Sequence, residues 1–465
     1  MIVFFFIFTP LLLGFLSCLL IFKETKTINF RFLINLSFPI GIGISSVIFI
    51  SLNLLGLTTF LIFLIEIGIL IFLILKIIPI IIGTPKIIDQ LKWFNLNKLI
   101  LNPILLLATT IYFYFWLMDA GIFLFDSIKE PHGLWDAWGD WNAGAKFISR
   151  DPDGWENSFH QINSSNLHTD YPLLQKGFIA RCWILAKTET VWVPIFFCFI
   201  ITFCTIGLLA SSVSFFTNKT NGLIAGLILL CTPFYMTIGS SQYADNTVGY
   251  FYLATIVLLT FARNGSSIKP QLLIAAGITA GLAGWSKNEG LLFIVCLLIS
   301  QLSLLFFKNY RELFVELKYL LLGMLPVLIL IAYFKIKIAP PNDIMDAQGA
   351  QTFVKLADYS RYAIAGNWFF EQFSAFGKWA LNPWWLFLLG ILFKGISFKE
   401  NRNSIISGLM LLILMTMSFF FIFIISHLDL VYYLSTSLHR LFFQLFPSFI
   451  FIYFLALKNP TRTRL

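Results

Sequence analysis

About 13 apolar runs, parted by short charged loops, leave this chain few ways to fold. They lie near 2–22, 32–55, 57–82, 99–119, 190–213, 222–240, 247–262, 271–285, 290–307, 319–338, 383–395, 404–426 and 439–457. Most are long enough to cross a hydrocarbon layer, where every backbone polar group must be satisfied inside the segment itself. With 58% hydrophobic and 12% charged residues and a mean hydropathy of +0.84, no water-soluble core could absorb them. The expected fold is an all-α polytopic membrane bundle of about 13 transmembrane helices. Residues 1–22 carry no basic n-region and no small-residue cleavage signal, so they read as a retained first span.

Loop charge sets the expected orientation. One set of loops carries 18 basic residues, from Lys23 and Arg31 through Lys86, Lys219, Arg263, Lys308 and Lys394 to Arg464. Five acids accompany them: Glu24, Asp89, Glu312, Glu316 and Glu400. By the positive-inside rule this face is cytoplasmic, which puts the two long loops, 120–189 and 339–382, outside. The net charge of +9 is therefore an orientation signal scattered through short loops, and nucleic acid is not an expected partner. Five of the six cysteines fall in apolar spans and no CxxC occurs, which supports neither a disulfide framework nor a cysteine metal site.

Within this hydrocarbon one stretch, 131–172, is polar, aromatic and acidic. If WDAWGDWNAGAKF is helical, Asp136 and Asp140 share one face with Trp138 and Trp141 beside them. An interfacial aromatic belt would account for Trp135, Trp138, Trp141 and Trp155, and less well for the acids. Asp170-Tyr171-Pro172 reads as a capped helix start, and LLQKGFIARCWILAKTE after it as an amphipathic helix lying in the outer interface. The second long loop, broken by Pro340 and Pro341, carries aromatics between charges and suits an interfacial helix or a lid over a lipid-facing groove. Glu66 is the mid-span acid, with a functional and a helix-packing role equally open.

All five histidines (His132, His160, His168, His427, His439) fall in the outer segments, as do three short polar turns. These are SSQYADNT with Asp245, WSKNEG with Lys287 and Glu289, and SHLDLVYYLSTSLHR with Asp429, His439 and Arg440. Short turns between spans do not need carboxylates. If the bundle closes on itself, these turns converge with 131–172 on one outer cavity. Its chemistry would suit glycosyl transfer from a lipid-phosphate sugar: a carboxylate base, cations for a leaving phosphate, and a divalent metal cation held by oxygen ligands. Membrane embedding follows, since a polyprenyl tail gains about 0.8 kcal/mol per buried methylene and stays in the bilayer. Arg440 is placed at the outer start of the last span, as a phosphate partner or a snorkelling interface arginine.

WDAWGDWNAGAKF, HTDYPLL, YADNTVGYFYL, GLAGWSKNEGLL and a late LHRLFFQLFP, in that order, resemble the membrane glycosyltransferases of the GT-C superfamily. The likeness is to family 39, the dolichyl-phosphate-mannose-protein mannosyltransferase-like group, and its RgtA/B/C/D-like relatives. It covers 99–465, with 1–98 as an N-terminal extension of three spans. The resemblance implies a GT-C-like bundle, a polyprenyl-phosphate sugar donor, and a lipid, glycan or protein acceptor at the outer face of the plasma membrane. It maps an essential acid of the first outer loop onto Asp136, with Asp140 as its neighbour. A second acid maps onto Asp245, as a metal or donor contact, so that Asp136 and Asp245 are the implied metal ligands. His168, Asp170, Lys287, Glu289, His439 and Arg440 complete the candidate substrate-binding set. The first loop has no adjacent DD or DE pair, a departure from the family pattern that bears on metal dependence. A flippase or transporter for lipid-linked saccharides, without chemistry, is the competing class; such proteins place functional charge midway through broken helices.

Overall fold

The structure is a computed structural model that describes residues 2–22, 29–83, 102–159, 168–264, 269–307, 309–379 and 384–458. The domain boundary expected at 98/99, His160, and the basic residues Lys23, Lys26, Lys86, Lys92, Lys98, Lys308, Arg462 and Arg464 lie outside the described residues. The described chain is helical apart from loops and one isolated bridge between Ile396 and Leu457. It is an all-α polytopic membrane protein.

Each of the expected runs coincides with a helix, but the lengths differ. Among the described residues nine helices are long and apolar enough to span. They are Val3–Phe22, Phe30–Asn53, Thr59–Pro79, Pro103–Lys129, Trp192–Phe216, Asn288–Phe306, Tyr310–Lys337, Arg402–Ile425 and Leu430–Ala456. Lys219–Leu230 and Pro233–Ser240 are together long and apolar enough to span but are bent by 65° at the break between them, as in a broken span or a re-entrant loop. Pro233 has no amide hydrogen to continue the first helix and holds Thr232 extended, which accounts for the break. Trp384–Lys394 has only 11 residues. Asparagine side chains start several spans: Asn29, Asn102, Asn218 and Asn309 each accept from a backbone amide two or three residues on.

The centre of the bundle is Ala244–Arg263 and Pro270–Ser286, whose side chains are almost all buried, Tyr250 and Tyr252 included. Around them the chain's polarity is sorted to the two ends. Near the end that carries the basic loops, Arg263 pairs with Glu316 at 3.1 Å and donates to Ser407 and Gln301. At the opposite end meet the segment after Pro103–Lys129, the start of Ala244–Arg263, the turn between Pro270–Ser286 and Asn288–Leu302, and the end of Tyr310–Lys337. The candidate site is built there.

Three readings of local structure are corrected. Leu174–Ala186 is not an interfacial helix: residues from Leu174 through Trp183 are all buried. Its charges travel inward because each finds a buried counter-charge. Lys176 Nζ lies 2.9 Å from Asp140 Oδ1, while Arg181 pairs with Glu66, which also accepts from Ser45 Oγ at 2.6 Å. A buried charge is tolerated when it is paired and hydrogen-bonded. Glu66 is thereby a packing residue, tying the first spans to this buried helix. Lys187 ends the helix in a left-handed conformation at φ 51 and is exposed.

Second, Asp170 does not cap a helix. The helix begins at Leu174 with Leu173 at its N-cap and no side-chain capping bond, and Asp170 is used elsewhere. Third, Arg440 is not at the start of the last span. That helix runs from Leu430, capped by Asp429 Oδ1 accepting from the Tyr432 amide at 2.8 Å, so Arg440 lies about 15 Å along it.

The second long loop is helical as expected, over Asp343–Asp346, Ala350–Ala357 and Tyr359–Ala375. Phe353, Tyr359 and Phe370 are exposed, while Arg361 donates to the carbonyls of Phe423, Ile424 and Ser426 and so closes the end of Arg402–Ile425.

Candidate active site

Asp245 is the centre of the site. It stands in the first turn of Ala244–Arg263 with its side chain wholly buried. Its Oδ1 accepts from Lys287 Nζ at 3.1 Å and Gln444 Nε2 at 2.7 Å. Its Oδ2 accepts from Arg440 Nε at 3.2 Å and Nη2 at 2.9 Å. The same Nη2 lies 2.6 Å from Asp136 Oδ2, and Lys287 Nζ lies 2.8 Å from Glu289 Oε1. Three carboxylates and two cations thus form one connected cluster drawn from four separate parts of the chain. Exposure grades across it: the Asp245 and Lys287 side chains are 0% and 3% exposed, Glu289 18% and Asp136 27%. Burial alone would lower the Lys287 ammonium, but the Asp245 and Glu289 carboxylates outweigh it and hold the group above its ordinary value.

Local sequence explains how Asp136 reaches this cluster. Gly133 turns the chain at φ 74, in the left-handed region where a side chain is strained. The next residue, Leu134, donates its amide to Ser241 O at 3.2 Å. Gln242 then pins the loop from the other side, donating to Pro131 O at 3.1 Å and accepting from Asn142 Nδ2 at 2.9 Å. Residues 131–142 are therefore fastened to 241–242, three residues before Asp245. This is why a short turn carries so many polar side chains.

Asp140 goes elsewhere. Ala137–Trp141 is wound as a π-helix, followed by the α-helix Asn142–Arg150, so the shared face expected of an unbroken α-helix is not formed. Asp136 turns to Arg440 and Asp140 to Lys176, whose Nζ also donates to His168 O at 3.3 Å. Lys176 reaches Asp140 past Gly144, where a Cβ would stand 2.7 Å from Lys176 Cδ. Burial raises the Asp140 carboxyl above its ordinary value, with Lys176 opposing.

A third set lies beside these. Asp170 Oδ2 accepts from Asn288 Nδ2 at 2.6 Å and Asn342 Nδ2 at 2.8 Å, and Lys335 donates to the Asp170 carbonyl and to Asn288 Oδ1 at 2.7 Å. Asn288 sits between Lys287 and Glu289, so this set and the Asp245 cluster share one turn. It also joins the second long loop, through Asn342, to the first. Aromatic rings connect the sets: Tyr171 stacks on Trp141 at 5.5 Å and on His168 at 4.8 Å between centroids.

Of the candidates read from sequence, Asp136, Asp245, Lys287, Glu289 and Arg440 come together. Asp140 and His168 form the adjoining set, Asp170 the third, and the ring of His439 lies against Phe234 at 5.2 Å. Of the four tryptophans, Trp135 and Trp138 are exposed, as a belt requires, whereas Trp141 and Trp155 are buried. Gln444, Gln242, Lys176 and Lys335 were not among the candidates. Gln444 had a signal, standing one helical turn after Arg440 on the same face.

Asp136 and Asp245 were also the implied metal ligands. Both instead hold the Arg440 guanidinium, which occupies the position a shared cation would take, and among the described residues no group of three or more His, Cys, Asp or Glu is placed to hold a metal. This donor set does not fit a metal.

No curated protein and no solved structure matches the chain. Residues 171–334 match a family described as dolichyl-phosphate-mannose-protein mannosyltransferase. The matched segment contains Asp245, Lys287 and Glu289 and stops short of Asp136 on one side and Arg440 on the other. Through it, this chain is similar to the membrane glycosyltransferases of the GT-C type.

Proposed function

We propose that the protein transfers a sugar from a polyprenyl-phosphate-linked donor to a lipid, glycan or protein acceptor at the outer face of the plasma membrane, with inversion. The observation that carries this reading is the Arg440 guanidinium held between buried Asp245 and partly exposed Asp136. Asp136 is the acid nearest water in the cluster and serves as general base. Its carboxylate takes the acceptor hydroxyl proton as the acceptor oxygen bonds to the sugar C1, and the C1–O bond to the phosphate breaks with its electron pair passing to the phosphate oxygen. Arg440 and Lys287 meet the charge that develops there. Asp245 positions both cations. Asp140 supports the loop that carries Asp136, and Asp170 and His168 line the approach. The sidedness rests on the loop charges, and the donor class on the family likeness together with the cations at the bundle end.

The test is reconstitution of the full chain in vesicles with radiolabelled polyprenyl-monophosphate sugars and a panel of lipid and glycan acceptors. Transfer that depends on the prenyl phosphate supports the reading. Passage of the lipid-linked sugar across the vesicle without transfer would establish the flippase class instead.

A further inference from the structure

Tyr171 lies between the Asp245 cluster and the Asp140 set, with its ring near Lys287 and stacked on Trp141. Its ring stacks on Trp141 with an interplanar angle of 11° and on His168 with one of 20°. Lys287 Nζ lies 5.7 Å from its centroid, and Lys176 Nζ lies 5.1 Å from that of Trp141. The backbone is held as well: the Tyr171 amide donates to His168 O at 3.1 Å, and Pro172 follows. A phenol ring fixed in this way points its oxygen along one direction. The residue is half-buried, and its hydroxyl makes no hydrogen bond among the described residues. Around it, within electrostatic reach, are Glu289, Tyr433, Asp170 and Arg440. Tyr433 is two helical turns before Arg440 on the last span.

We infer that the Tyr171 hydroxyl donates a hydrogen bond to the phosphate of the lipid-linked donor, beside Arg440 and Lys287, and so is a further catalytic residue of the proposed transfer. The inference rests on the reading of this site as one that handles a prenyl phosphate. Asp136 and Asp245 are held by Arg440 and Lys287, Asp170 by Asn288 and Asn342, and Glu289 through Oε1 by Lys287, while the Tyr171 hydroxyl is left to meet an incoming anion. Burial, followed by the neighbouring Glu289 and Asp170 carboxylates, keeps the phenol well above its ordinary value despite Arg440. It therefore stays protonated and can donate without giving up its proton, and no proton transfer is assigned to it. A third donor matters most as the C1–O bond breaks and charge gathers on the phosphate.

The experiment compares wild type with Tyr171→Phe, which keeps the ring and its stacking and removes only the oxygen. Two readouts are taken on the full chain in vesicles: sugar transfer, and equilibrium binding of a tritiated polyprenyl monophosphate that carries no sugar. The expected result is a kcat roughly 10- to 100-fold lower with a melting temperature unchanged, the scale of one hydrogen bond to a charged group. Prenyl phosphate should bind several-fold more weakly. Wild-type kcat and binding in Tyr171→Phe would overturn the inference while leaving the transfer reading in place. So would a loss confined to sugar-bearing donors, which would make the hydroxyl a sugar contact, or a loss that disappears when rates are referred to folded protein. A wild-type protein that neither transfers sugar nor binds the prenyl phosphate would overturn the transfer reading and this inference with it.

Discussion

Asp136 Oδ2 lies 2.6 Å from Arg440 Nη2, so the acid nearest water in the cluster is held by a cation from the last span. The same guanidinium is gripped from beneath by Asp245, which has no exposure at all. Two carboxylates around one cation thus have different tasks. One is open to a substrate, and the other fixes what the first leans on.

Asp245→Asn is therefore expected to act on the fold as well as on the chemistry. It leaves Lys287 and Arg440 without their shared buried counter-charge, a loss of the order of 3–5 kcal/mol. Thermal unfolding in detergent should show a large drop in melting temperature. An Asp245→Asn protein as stable as wild type would mean that the carboxylate is not the structural centre.

Asp140→Asn should likewise destabilise, because Lys176 is wholly buried and loses its ion-pair partner. The cost is again of the order of 3–5 kcal/mol, and replacing both partners, as in Asp140→Leu with Lys176→Met, should recover most of it. A double-mutant cycle on melting curves checks this. Additive losses would show that the pair is not coupled.

Glu66→Gln should lower thermal stability while leaving transfer per folded molecule unchanged. Its partners Arg181 and Ser45 are buried packing residues. A selective fall in turnover without a change in melting would place Glu66 in the function instead.

The state of Lys287 sets a pH window. Its folded value lies above the ordinary one, because Asp245 and Glu289 outweigh burial. A raised lysine contributes stability that is fully present below the unfolded value of about 10.4 and is lost as pH rises through the folded one. The stability difference between wild type and Lys287→Met should hold constant from pH 6 to about pH 10 and shrink only above that. A difference that falls near neutrality would contradict the pairing.

The helical membrane architecture was legible because apolar length alone announces a span, and the Asp245 cluster because short turns between spans do not otherwise need carboxylates. Two things were not legible. Leu174–Ala186 carries Lys176 and Arg181 and so looks interfacial, since the counter-charges that let it sink, Asp140 and Glu66, lie 36 and 115 residues away. The directions of Asp136 and Asp140 depend on a π-helical turn that spacing read as α-helix. In the first case the deciding contacts are non-local, and in the second the winding is local but residue spacing does not distinguish a π-turn from an α-turn.

Metal removal separates the proposed use of Arg440 from a metal-assisted reaction. With a guanidinium between Asp136 and Asp245, transfer should continue at the same rate after treatment with EDTA. A rate abolished by the chelator and restored by a divalent cation would show that the carboxylates rearrange to bind one.

The most direct measurement is sugar transfer by Asp136→Asn in vesicles, with insertion and melting checked first. General-base catalysis contributes roughly two to four powers of ten, and an amide cannot accept the proton. Turnover should fall by that amount in a protein that remains folded, since Arg440 keeps Asp245 as its buried partner. Wild-type turnover in folded Asp136→Asn would contradict the account.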